Sequence, residues 1–154
     1  APAQDGPEPE VLAERARGGD GAALEQLLNV ARDVDAEGSV RFEALTQLGE
    51  LGDARAVPGL IAVLEEDLER RTGVWAAAIP ALGQLKDPQA MPILVRCLED
   101  RSEDWLGREM AASALGQLGD KRAAIHLIEA SRYADTREPA LAALAAMGVE
   151  VSAE

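Results

Sequence analysis

Apolar residues recur along this chain at spacings of three and four, in stripes separated by short polar breaks. One stripe is Ala56, Val57, Leu60, Ile61 and Leu64; it returns as Ala90, Met91, Leu94, Val95 and Leu98, and again as Ala124, Ile125, Leu127 and Ile128. A second stripe, Val40, Ala44, Leu48 and Leu51, returns as Val74, Ala78, Leu82 and Leu85, then as Gly107, Ala111, Leu115 and Leu118, and last as Thr136, Ala140, Leu144 and Met147. Such spacing lines one face of an α-helix. No alternating run reads as a strand, so the pattern predicts an all-α protein of nine helices.

The stripes repeat with a fixed step. Leu48-Gly-Glu-Leu-Gly-Asp53, Leu82-Gly-Gln-Leu-Lys-Asp87 and Leu115-Gly-Gln-Leu-Gly-Asp120 place their aspartates 34 and 33 residues apart. Gly18-Gly-Asp20 is a degenerate copy one step earlier, and Leu144-Ala-Ala-Met-Gly148 one step later. About four units with atypical ends describe a capped array. Each aspartate stands where its carboxylate can accept hydrogen bonds from the free N–H groups of a helix start. The alanines at 44, 78, 111 and 140 let helix axes approach closely. The glycines at 49, 83 and 116 fall near helix ends, where glycine costs least. Pro58 and Pro92 predict a bend or tight turn early in their helices, and Pro80 a kink within a second helix.

With 154 residues, 47% apolar and 28% charged, the chain can bury one core and is too apolar to stay disordered. No apolar stretch is long enough for membrane insertion. A net charge of −13 removes the main driving term for nucleic-acid binding. Residues 1–8, rich in Pro and polar groups, read as a disordered linker ahead of a single domain over 9–150. A first residue other than Met fits removal of a leader, which favours an exported, periplasmic protein over a cytoplasmic one. Cys97 and His126 are each alone of their kind, so neither a thiolate cage nor a His pair is available, and no metal or cofactor is expected.

Two segments carry a family likeness: Asp53-Ala-Arg-Ala-Val-Pro-Gly-Leu-Ile61 and Val40-Arg-Phe-Glu-Ala-Leu-Thr-Gln-Leu-Gly49. They resemble HEAT repeats of the bacterial HEAT-like type found in phycobilisome (bilin) lyase subunits. The resemblance covers about residues 20–148. It implies a right-handed α-α superhelix with units at 20–52, 53–86, 87–119 and 120–148, capped by a helix near 9–18. It further implies that first helices face the convex side and second helices the concave side. The family's arginine column falls on Arg41, Arg108 and Arg137, with Trp75 departing from it. Its loop aspartate falls on Asp35, with Glu69 and Ser102 at the corresponding places. The deoxyhypusine hydroxylases of this type need several His-Glu pairs for iron, which a single His does not supply.

The expected function is therefore a non-enzymatic, bacterial protein-interaction scaffold, monomeric, with a partner protein docked on its concave surface. The alternative is an accessory subunit of a chromophore or cofactor lyase; a DNA-repair glycosylase of the same fold is disfavoured by charge. Candidate partner-binding residues are Arg41, Phe42, Trp75, Trp105, Arg108, Glu109 and Arg137, since aromatics beside arginine are common contact anchors. Each has a competing role: the tryptophans can plug interhelical loops, and the arginines can form a ladder with loop carboxylates. Carboxylate runs such as Glu65-Glu66-Asp67 read as solvated helix ends, and His126 and Cys97 as an outward-facing and a partly buried side chain of outer helices.

Overall fold

Gly49, Gly83 and Gly116 show how the helices stack. A Cβ built on Gly49 would lie 2.8 Å from Ala81 Cα; on Gly83, 3.0 Å from Ala114 Cα; on Gly116, 2.9 Å from Ala143 Cα. Backbones that meet this closely leave no room for a side chain. In the computed structural model, which describes residues 6–102 and 105–152, these glycines belong to α3 (Gly38–Leu51), α5 (Trp75–Leu85) and α7 (Trp105–Leu118). The alanines belong to α5, α7 and α9 (Arg137–Ala146), so each of these helices lies directly on the next.

The intervening helices are α2 (Gly21–Arg32), α4 (Val57–Arg70), α6 (Met91–Glu99) and α8 (Ala124–Ala130). Each pairs with the helix that follows it but meets its own counterparts only lightly. A stack drawn tight along one row of helices and looser along the other curves toward the tight row, so α3, α5, α7 and α9 line the inner side. α1 (Pro9–Arg17) packs on α2 and α3 and closes the N-terminal end. Among the described residues there are nine α-helices and no strand, forming a helical solenoid. No described helix is long and apolar enough to cross a membrane. Of the polar N-terminal segment, residues 1–5 lie outside the described residues; 6–8 are exposed.

The aspartate before each first helix caps as its spacing predicts. Asp20 accepts from the N–H groups of Ala22 (3.0 Å) and Ala23 (3.3 Å) at the start of α2. Asp53, Asp87 and Asp120 instead cap single 3₁₀ turns, Ala54–Ala56, Pro88–Ala90 and Lys121–Ala123, through the N–H two residues on. The α-helix then begins, with Pro58 and Pro92 as second residues, where a missing N–H costs nothing.

That turn also corrects one stripe. Ala123 and Leu127 are buried, but Ile125 is 71% exposed, because it shares the register of the exposed Pro58 and Pro92. The glycines at 49, 83 and 116 are likewise explained by the neighbouring helix rather than by the helix end. The helix ends take their own left-handed residues: Gly52 (φ 67°), Gly119 (φ 71°) and, in the same place, Lys86 (φ 53°).

Candidate functional site

One edge of the array is built from the turns that join each first helix to its second helix. Four second-helix residues at one register reach toward those turns, and three are arginines. Arg41 is 3% exposed, and its Nε donates to Ala31 O at 3.0 Å, satisfying a carbonyl at the end of α2. Arg108, also buried, donates from Nη1 to Asp100 O at 3.0 Å and from Nε and Nη2 to Asp135. Arg137 Nε donates to Ser131 O at 3.2 Å. Each arginine thus clamps the turn of its own unit to the end of the preceding helix.

Trp75 holds the fourth place and cannot do this. There Asp67, buried in the last turn of α4, accepts from the N–H and hydroxyl of Thr72 and from Trp75 N–H at 2.9 Å. The Trp75 ring lies half-buried beside Gly107, in a small cavity of about 100 Å³ lined also by Asp67, Cys97 and Arg108.

The loop acids that do this work are Asp33, Asp67 and Asp100, at steps of 34 and 33, rather than Asp35, Glu69 and Ser102. Asp33 accepts from Asp35 N–H at 3.0 Å, and Asp100 from Ser102 N–H at 2.9 Å. Adjacent turns are tied by Arg71 to Asp100 (3.1 Å) and Arg101 to Asp135 (3.1 Å). Arg101 also stacks on the Tyr133 ring, 3.8 Å from its centroid, in the turn after α8. The Ser102 hydroxyl and N–H, with Arg71, hold the Asp100 carboxyl below its ordinary range; Arg108, then Arg101, do the same for Asp135. The period that reveals the capping aspartates is also present in this column, and it is the signal that could have found them.

The remaining candidates stand at the surface of the same edge or the inner face. Trp105, the first residue of α7, is 56% exposed, its neighbour Leu106 40% and Phe42 42%. Glu109 is half-buried on the inner face of α7 beside a groove that also takes in Ser113, Gln117, Pro139 and Ala142. The structure therefore sorts the seven candidates. Arg41, Arg108 and Trp75 are inside the turns, Arg137 holds its turn from the surface, and Phe42, Trp105 and Glu109 remain for contact. Leu106 and Tyr133 (46% exposed) join the exposed set.

The single cysteine and the single histidine do not join the exposed set. Cys97 is buried, and desolvation, aided by the charge of Asp100, pushes its thiol up to about 12. His126 Nδ1 lies 2.8 Å from Glu99 Oε1 on the outer helices. Among the described residues no group of three or more His, Cys, Asp or Glu side chains is placed to hold a metal ion.

Residues 72–148 match the family pattern described as HEAT repeats, and residues 40–66 match the PBS lyase HEAT-like repeat. No curated protein matches the chain by sequence. Among solved structures, human deoxyhypusine hydroxylase in complex with glycerol is similar, with a TM-score of 0.69 over 96% of this chain at 24% identity. The match covers 51% of that protein, so the chain spans about half its length, and likeness at this identity is one of fold.

Proposed function

The chain belongs to the HEAT-repeat family, and on that footing we propose that it is a non-enzymatic scaffold that binds another protein along the inner side of its helical stack. The observation that carries this reading is the exposure of Trp105, Leu106 and Phe42 on inner helices, in a chain with 3% aromatic residues. Large apolar side chains held on rigid helix starts are the usual anchors of an interface. Arg41, Arg108 and Trp75 act behind them by fixing the turns. With those arginines turned inward, the charges left along the inner helices are mainly Glu43, Glu50, Glu109 and Glu138, so the partner carries a basic patch. The burial of the Cys97 thiol and the engagement of His126 with Glu99 support a role without catalysis. The lyase-accessory alternative rests on the name of the repeat matched at 40–66. A shift in bilin absorbance on mixing pigment with the protein would favour it.

The test uses the chain as bait in extracts of its source cells, beside Trp105→Ala and, as a control, Ile125→Ala, which removes an exposed apolar group from an outer helix. A specific partner is retained by wild type and the control and lost, at a cost of about 2 kcal/mol or more, with Trp105→Ala. Equal capture by all three baits would contradict the reading.

A further inference from the structure

Two departures from the repeat meet at one place. Trp75 stands where Arg41, Arg108 and Arg137 stand in the other units. Gly107 stands where Val40, Val74 and Thr136 stand, and Val74 and Thr136 are buried. The Trp75 ring lies against Gly107, its Cζ3 3.8 Å from where a Cβ would be. The space that neither a guanidinium nor a β-branched side chain fills is the cavity of about 100 Å³. It lies between the end of α4 and the turn after α6, beside Asp67 and Asp100. In the next unit the Arg108 guanidinium takes the corresponding place, between Asp100 O and Asp135.

We propose that this cavity binds the guanidinium group of a small free molecule, which supplies the arginine missing from the column. The walls select that group. Asp67 is 2% exposed, and its carboxylate accepts from neutral donors, the Thr72 N–H and hydroxyl and the Trp75 N–H. Among the described residues it has no ion pair, so it is a buried charge without a cation. Arg71 and Arg108 also line the cavity, but they are drawn to other carboxylates, Arg71 to Asp100 and Arg108 to Asp135. The Trp75 ring, Leu68 and Ile79 make the rest of the wall apolar. A planar, delocalised and weakly hydrated cation suits a carboxylate beside an aromatic face. The same edge already holds one such pair, Arg101 over the Tyr133 ring. A cavity of about 150 Å³ holds a benzene ring, so one of about 100 Å³ holds a head group of guanidinium size and excludes larger rings.

Fluorescence tests it in Trp105→Phe protein, where the remaining tryptophan is Trp75. The probe is methylguanidinium chloride, added to about 20 mM at constant ionic strength. Trp75 emission is expected to change and saturate, with a dissociation constant of about 1–10 mM, the range open to a ligand of so few atoms. Methylurea, which has a similar shape without the charge, is expected to leave the emission unchanged. Gly107→Val restores the side chain of that register and is expected to abolish the response with an unchanged circular dichroism spectrum. Should it fail to fold, Asp67→Asn keeps an acceptor for the turn but removes the charge, and is expected to weaken binding at least about tenfold. Emission that drifts without saturating overturns the proposal. So does an equal response to methylurea, or undiminished binding in either folded variant. The protein tested lacks the Trp105 anchor, so the outcome is independent of the inner-face reading.

Discussion

Arg41, Trp75, Arg108 and Arg137 share one register, and the three arginines donate to carbonyls of the turn behind them. At Trp75 the polarity is reversed: the helix start offers N–H groups, and Asp67 supplies the acceptor. Asp67→Ala leaves the N–H groups of Thr72 and Trp75 without their buried acceptor and is expected to cost on the order of 2 kcal/mol in urea unfolding. Asp35→Ala, at an exposed position, should change stability by less than about 0.5 kcal/mol. Equal effects at the two sites would show that Asp67 is not the acceptor the turn depends on. The sequence made the arginine column legible through family likeness, but it pointed to Asp35 as the loop acid. The acid that is used keeps the step of 34 and 33 residues although the first helices end at different places: Asp33 and Asp100 directly follow α2 and α6, whereas Asp67 lies inside α4, which runs on to Arg70.

At the scale of the helix, the repeated Leu-Gly pairs have opposite consequences from those of an isolated helix. Gly→Ala within a helix normally stabilises by about 1 kcal/mol. At Gly83 the added Cβ would meet Ala114 Cα at 3.0 Å, with the Gln117 side chain also in the way. Gly83→Ala is therefore expected to destabilise, by about 1–3 kcal/mol. Lys86→Gly is expected to stabilise, by up to about 1 kcal/mol, because Lys86 takes the left-handed conformation that Gly52 and Gly119 take elsewhere. Thermal melts of the two variants should move in opposite directions from wild type; a rise in both would refute the close-approach account. Helix number, the repeat step and the capping aspartates were readable from spacing because each is a local signal. The role of the Leu-Gly glycines and the exposure of Ile125 were not, since both depend on what the neighbouring unit brings to that register.

At the scale of the whole molecule, five carboxylates among the described residues are held below their ordinary range by arginines, hydroxyls and backbone N–H groups: Asp20, Asp53, Asp100, Asp120 and Asp135. A carboxyl whose folded value is depressed contributes stability that is fully present above its unfolded value, about 3.9, and is lost as pH falls through the folded value. The melting temperature should thus fall steeply below about pH 4. Asp135→Asn should shallow that acid limb, and an unchanged limb would count against the Arg108–Asp135 clamp.

The chain has two tryptophans, which lets the interface be read directly. Trp75 and Trp105 stand at corresponding helix starts, one half-buried in a turn and the other open to solvent. The decisive measurement is acrylamide quenching of Trp105 fluorescence in Trp75→Phe protein, with and without the partner retained by wild type and lost by Trp105→Ala. A scaffold that docks its partner on the inner edge predicts that saturating partner shields Trp105, while Trp75, measured in Trp105→Phe protein, is quenched as before. Unchanged quenching of Trp105 at saturation would place the partner elsewhere and contradict the account.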